Sequence, residues 1–210
     1  MNRYLVWRDH YCYPDSDVLM NRYDIRDQTL LDQAERDVTA LTIHTITLSH
    51  PPFSLQSLCH IHYCLFNELY SWAGKVRDIS ISKGQTRFCQ PTFIVSEAEK
   101  LFAKLACERW LKQADHESFC HQVAWYYCEF NILHPFREGN GRPLRILFEH
   151  IILNAGYQVS WEGLSASDWL AANIAGYQSG PEKMAALFLR HIVPLSGKTP
   201  GIPVTAGRTQ

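Results

Sequence analysis

A bundle of amphipathic α-helices carrying one β-hairpin is the fold class this chain predicts, on three observations. Seven stretches space their apolar residues three and four positions apart, the period of one helix face. One stretch alone alternates apolar with polar residues around a glycine-bearing turn. Hydrophobic residues make up 46% and aromatic residues 12% of 210 residues, enough for a single sizeable core.

Residues 1–27, rich in Tyr, Asp and Arg, read as an irregular lead-in. From Thr29, the residues Leu30, Leu31, Ala34, Val38, Leu41 and Ile43 mark a first helix that must end before Pro51-Pro52, where the backbone donors are missing. Leu55, Leu58, Ile61, Leu65, Phe66, Leu69 and Trp72 predict a second helix over 54–72, stopped at Gly74. The alternation from Val76 to Ser82, the turn at Lys83-Gly84-Gln85-Thr86 and the return through Arg87 and Phe88 predict the hairpin, over 76–93. Further helices are expected over 96–112, 116–131, 140–155, 165–178 and 182–192. Residues 1–54 form the lead-in and first helix, 55–193 the domain core, and 194–210, rich in Gly, Pro, Ser and Thr, a flexible tail.

Composition excludes several function classes. Twenty Lys and Arg against twenty-one Asp and Glu leave a formal charge of −1, so there is no general basic field for nucleic acid or anionic lipid. The N-terminus has no apolar signal-peptide stretch, and no window is apolar enough to span a membrane, so a soluble cytoplasmic protein is expected. Seven cysteines without CxxC pairs read as buried thiols in a reducing compartment. Gly197-Lys198-Thr199 is no phosphate loop, because the required first glycine would fall on Ile192.

The informative stretch is His134-Pro135-Phe136-Arg137-Glu138-Gly139-Asn140-Gly141-Arg142-Pro143-Leu144-Arg145. Two glycines flanking Asn140 open directly onto a helix, so backbone N–H groups without intrahelical partners converge where the helix dipole favours an anion. Arg142 and Arg145, three apart, share one face of the first turn and can fork phosphate oxygens. Glu138 beside an anion cradle suits a divalent cation held against phosphates, with Mg²⁺ the natural candidate. His134 can take the proton of an attacking hydroxyl, while Phe136 anchors the loop in the core. Together these parts describe nucleotidyl or phosphoryl transfer. Chance agreement at eight positions in twelve is on the order of 10⁻⁷ at about 1/15 per position.

His-Pro-Phe-x-Glu-Gly-Asn-Gly-Arg-x-x-Arg resembles the full signature of Fic domain proteins. The likeness extends to Ile61-His62, Trp72-Ala73-Gly74, the hairpin and Ala155-Gly156-Tyr157. It implies a Fic-type helical bundle with a β-hairpin flap over the active site, and transfer of AMP from ATP to a Ser, Thr or Tyr hydroxyl of a target protein. By that resemblance His134 is the general base, Glu138 the Mg²⁺ ligand and Asn140 a holder of the α-phosphate. Gly139 and Gly141 would supply anion-hole amides, and Arg142 and Arg145 would grip and orient the β- and γ-phosphates. The flap, Ser82, Lys83, Gly84, Gln85, Thr86, Arg87 and Phe88 at its centre, would pair with an extended segment of the target.

A glycine at 141, where phosphate-transferring members carry Lys, disfavours a kinase. Many members restrain themselves with a Ser/Thr-x-x-x-Glu helix, and no glutamate here has Ser or Thr four residues before it. The chain thereby resembles the bacterial toxin class whose inhibitory helix is supplied by a separate small antitoxin. Toxins of this class modify type II topoisomerase subunits, which makes such a subunit a candidate target. Asn173 and Tyr177, on one helix face with Trp169, are candidates for nucleoside contacts, with core packing the alternative for all three. Transfer of UMP or another phosphate-containing group, and a non-catalytic nucleotide-dependent binding module, are the alternative functions.

Overall fold

In the computed structural model, which describes residues 9–112 and 114–195, seven α-helices surround one core. Helix α1 (Gln28–Thr42) is capped by the Asp27 carboxylate, which accepts from the Leu30 amide. Helix α2 (Leu55–Phe66) starts in a capping box between Ser54 and Ser57. It stops six residues before the expected end. Leu69 and Trp72 still reach the core, because successive turns between Phe66 and Lys75 preserve the three-to-four spacing that a helix would have given. Gly74 closes these turns at φ +76, where an added Cβ would lie 2.9 Å from the Cys59 carbonyl, so glycine is required there.

The hairpin is shorter than 76–93. Its ladder is confined to β1 (Ser82–Lys83) and β2 (Thr86–Arg87), with Ser82 opposite Arg87 and Lys83 opposite Thr86. The segment before β1 is held by Arg77 rather than by strand pairing, and the one after β2 passes into α3 (Pro91–Cys107). Pro91 at the first turn of α3 lacks only a donor that would have had no partner, which explains a start five residues earlier than expected. Helix α3 ends at Cys107, before a short turn whose Arg109, Trp110 and Leu111 have left-handed backbones.

Helices α4 (His116–Leu133) and α5 (Gly141–Ala155) carry the buried centre, with Phe119, Val123, Tyr127, Phe130, Leu147, Phe148 and Ile151 withdrawn from solvent. Gly156 ends α5 in the left-handed conformation, as its position predicts. A second small sheet pairs β3 (Tyr157–Val159) with β4 (Ile192–Pro194), antiparallel. Three-residue strands leave no readable alternation, and the sequence did not disclose this pair. Between them lie α6 (Ala166–Gln178), capped by Ser165, and α7 (Glu182–His191).

The lead-in joins the same core through Cys12, Val18 and Leu19, and α1 contributes Leu31. Most of the tail, residues 196–210, lies outside the described residues. No described helix is long and apolar enough to cross a membrane, and all seven cysteines are unpaired thiols.

Candidate active site

A cavity of about 570 Å³ opens between the hairpin, the α4–α5 loop and α6. At its floor α4 ends on His134, whose φ of 41° and ψ of 63° turn the chain sharply into the loop. The His134 Nδ1 lies 2.6 Å from the Asn131 carbonyl. A carbonyl can only accept, so Nδ1 carries the proton and the lone pair sits on Nε2. Burial, and then the charges of Arg77 and Lys83, push the His134 pKa down to about 3, so the ring is neutral. Phe88 of the flap stacks on it, with ring centres 3.7 Å apart.

The loop beyond His134 is braced from three sides. Asn140 turns its side chain back: Oδ1 accepts from the Phe136 amide at 2.8 Å and Nδ2 donates to the Phe136 carbonyl at 2.8 Å. One Nδ2 hydrogen is left over for the α-phosphate expected there. Phe136 is fully buried against the His62 ring, the anchoring role expected of it. His62 accepts from the Gly74 amide on Nδ1 and donates from Nε2 to the Glu138 carbonyl, 2.9 and 3.0 Å away. Burial lowers its pKa to about 3, so it braces the loop as a neutral ring. Arg137 donates to Asp9 at 2.7 Å, tying the lead-in to the loop.

Glu138 is half-buried at the cavity wall. Its Oε1 accepts from the Gly139 amide at 3.0 Å, so this amide, expected in the anion hole, is turned to the carboxylate. Burial first, and then the charge of Glu35, raise the Glu138 pKa. A cation beside it would relieve both effects. Among the described residues no three His, Cys, Asp or Glu side chains gather around one metal position. The donor set therefore fits Mg²⁺ shared between Glu138 and substrate phosphates rather than an all-protein cage.

Gly139, at φ +74, lies so close to Phe66 that a Cβ would approach its ring to 2.5 Å, whereas Gly141 faces open space with nothing within 4 Å. That space lies at the start of α5, where the sequence leads one to expect the cradle. Arg142 and Arg145 both line the cavity. Arg142 is docked on α1, with Nη2 2.6 Å from Glu35 Oε1 and Nη1 donating to Thr39 Oγ1 at 2.7 Å. Tyr70 donates to the other Glu35 oxygen at 3.0 Å. The remaining Arg142 N–H groups are its capacity for phosphate.

On the far wall Trp169 packs edge-on to Tyr127 and Trp161. Asn173 donates to the Trp169 carbonyl and accepts from Asn131, at 2.7 and 3.0 Å. The Tyr177 hydroxyl accepts from the Arg87 amide of the flap at 3.3 Å. Lys83, Gly84, Gln85, Thr86 and Phe88 line the cavity, while Ser82 and Arg87 face each other in the ladder outside its lining. Sequence reasoning gave no role to Glu35, Thr39, Tyr70, Arg77, Asn131 or His62. Only His62 carried a signal, a polar residue on the apolar face of α2.

A neutral histidine, an acid and two arginines thus lie around a helix N-terminus, roofed by a hairpin. A profile of the Fic/DOC family matches residues 52–152. The chain is 40% identical to the "Probable protein adenylyltransferase Fic" of Salmonella typhimurium, over 88% of this chain and 92% of that protein. It is 41% identical to the protein of the same name from Escherichia coli K12, over 80% and 84% respectively. Among solved structures it is similar to the Bartonella tribocorum BepC effector with bound AMPPNP, with TM-score 0.80 and 26% identity over 88% of this chain and 96% of that one. The chain belongs to the Fic/DOC family, and it is an enzyme of the protein adenylyltransferase class.

Proposed function

We propose that the chain transfers AMP from ATP to a serine, threonine or tyrosine hydroxyl of a protein target, releasing pyrophosphate. The observation that carries this reading is His134, neutral, with its proton fixed on Nδ1 by Asn131, on the wall of the cavity that holds the Gly141 cradle. Nε2 accepts the hydroxyl proton while the hydroxyl oxygen bonds to the α-phosphorus, and the bond to the bridging oxygen breaks. The spare Asn140 hydrogen and the first amides of α5 meet the α-phosphate, and Arg142 and Arg145 hold the β- and γ-phosphates. Glu138 would hold Mg²⁺, which supplies charge neutralisation at the phosphates when bound. The target lays an extended segment along the hairpin, so main-chain pairing aligns its hydroxyl with little side-chain selection.

Arg145 lines the cavity with no carboxylate among the described residues assigned to it, while Arg142 already has Glu35. This supports restraint by a separate antitoxin whose Ser/Thr-x-x-x-Glu helix places its glutamate at Arg145. The unpaired thiols agree with a reducing cytoplasm as the site of action. A type II topoisomerase subunit remains the candidate target.

The test is labelling of bacterial lysate proteins with ATP radioactive at the α-phosphate. The wild-type chain should label a band and His134→Ala should not; equal labelling by both would falsify the assignment of the base. Unlabelled UTP competing as well as ATP would replace AMP with UMP in this reading. Co-expression with the genes neighbouring this one, scored by growth, tests the antitoxin.

A further inference from the structure

Arg77 is among the largest fully buried side chains of the described residues, 2% exposed, in a segment whose sequence suggests only a strand. Its guanidinium meets carbonyls from three places. Nε donates to His134 at 2.7 Å, Nη2 to Leu133 at 3.2 Å and to Cys89 at 2.6 Å, and Nη1 to Ile79 at 2.6 Å. The Arg77 amide also donates to the Pro135 carbonyl at 2.8 Å. Leu133 and His134 end α4, where carbonyls lack intrahelical partners and a positive charge is favourable. Ile79 and Cys89 are the two feet of the hairpin.

We propose that Arg77 is a positioning residue that locks the hairpin and the His134 base into one rigid unit, so that a target strand paired with the hairpin meets Nε2 in a fixed register. The inference rests on the reading of His134 as general base. The backbone of His134 is left-handed, a conformation a non-glycine residue holds only when its surroundings over-determine it. The Arg77 bond to its own carbonyl is one such constraint. Phe88 is stacked on the His134 ring and is followed directly by Cys89, whose carbonyl the same guanidinium holds. One planar fork thus fixes the base and the residue that covers it. Lysine keeps the charge but cannot span four acceptors on three segments. The four carbonyls held by the guanidinium belong to the end of α4 and the feet of the hairpin, apart from the first turn of α5.

The test compares wild type with Arg77→Lys and Arg77→Gln in three measurements. These are thermal melting, AMPPNP affinity by calorimetry, and lysate labelling rate at saturating ATP. The proton on His134 Nδ1, read by NMR, supplies a fourth that needs no target. In folded variants AMPPNP affinity should stay within about two-fold while the labelling rate falls by about 10²-fold, with Lys retaining more than Gln. The Nδ1 proton, slow to exchange in wild type, should exchange quickly in both variants. Labelling that falls only as far as AMPPNP affinity, a rate equal to wild type, or an unchanged Nδ1 proton would overturn the proposal. So would failure of both variants to fold, since Arg77 would then be a folding residue only. If Arg77→Gln alone fails to fold, Arg77→Lys decides. Should wild type and His134→Ala label equally, the function reading fails separately, and the Nδ1 proton still tests the lock.

Discussion

Burial suppresses the protonation of His134 and His62 on folding, and it outweighs the carbonyl that each ring faces, which favours the charged form. Both pKa values fall from an ordinary 6.5 to about 3. Between these values the unfolded chain binds more protons than the folded one, so stability is full above pH 6.5 and is lost as the pH falls toward 3. The melting temperature should therefore drop on acidification from pH 7 to pH 5, and His62→Gln should flatten the drop; a flat wild-type profile would contradict the burial argument. Glu138 shifts the other way, so its ionised form costs stability as the pH rises. Glu138→Gln should abolish Mg²⁺-dependent labelling while leaving the melting temperature at pH 7 equal or higher. A lower one would mean that the carboxylate holds the fold together rather than a cation.

At the scale of the element, the α4–α5 loop uses its two glycines for opposite ends. Gly139 is a packing position, with a left-handed backbone pressed on Phe66, and Gly141 opens the first turn of α5 with empty space before it. Gly139→Ala should cost about 1–3 kcal/mol in stability and lower labelling with it. Gly141→Ala should melt within about 0.5 kcal/mol of wild type yet label poorly, since its methyl enters the phosphate space. Urea denaturation and the labelling assay on the same samples separate the two. Equal stability of both variants would sink the distinction.

Across the whole molecule the loop is reached from distant segments: Asp9 through Arg137, α1 through Arg142, α2 through His62 and the hairpin base through Arg77. The Arg137–Asp9 pair is withdrawn from solvent, with side chains 7% and 11% exposed. Removing one partner leaves the other buried and uncompensated, so Asp9→Ala should destabilise by about 3–5 kcal/mol. Because Arg137 lies inside the α4–α5 loop, the same change should slow labelling under conditions where the protein remains folded. Loss of stability with full activity would show that the lead-in only covers the core.

The sequence by itself determined the helices and the loop that joins α4 to α5, because both are local. Apolar spacing at three and four residues fixes a helix face, and the glycines, Pro143 and the arginines of 134–145 meet on one loop and one helical turn. The likeness to the Fic signature named the chemistry for the same reason: the signature is a single short run of residues. What lay beyond that reach was pairing across distance. The end of α2 escaped because turns can copy helical spacing, and β3 with β4 because three residues carry no alternation. Nothing in the local pattern separates Glu35 from any other charge on a helix face, or Arg77 from any other polar position of an alternating run. Only the packing of α1 on α2 and of the hairpin on α4 gave these two charges their partners, Arg142 and the carbonyls that end α4. A buried charge is stable only where distant segments supply its counter-groups together, and a one-dimensional pattern does not contain that meeting.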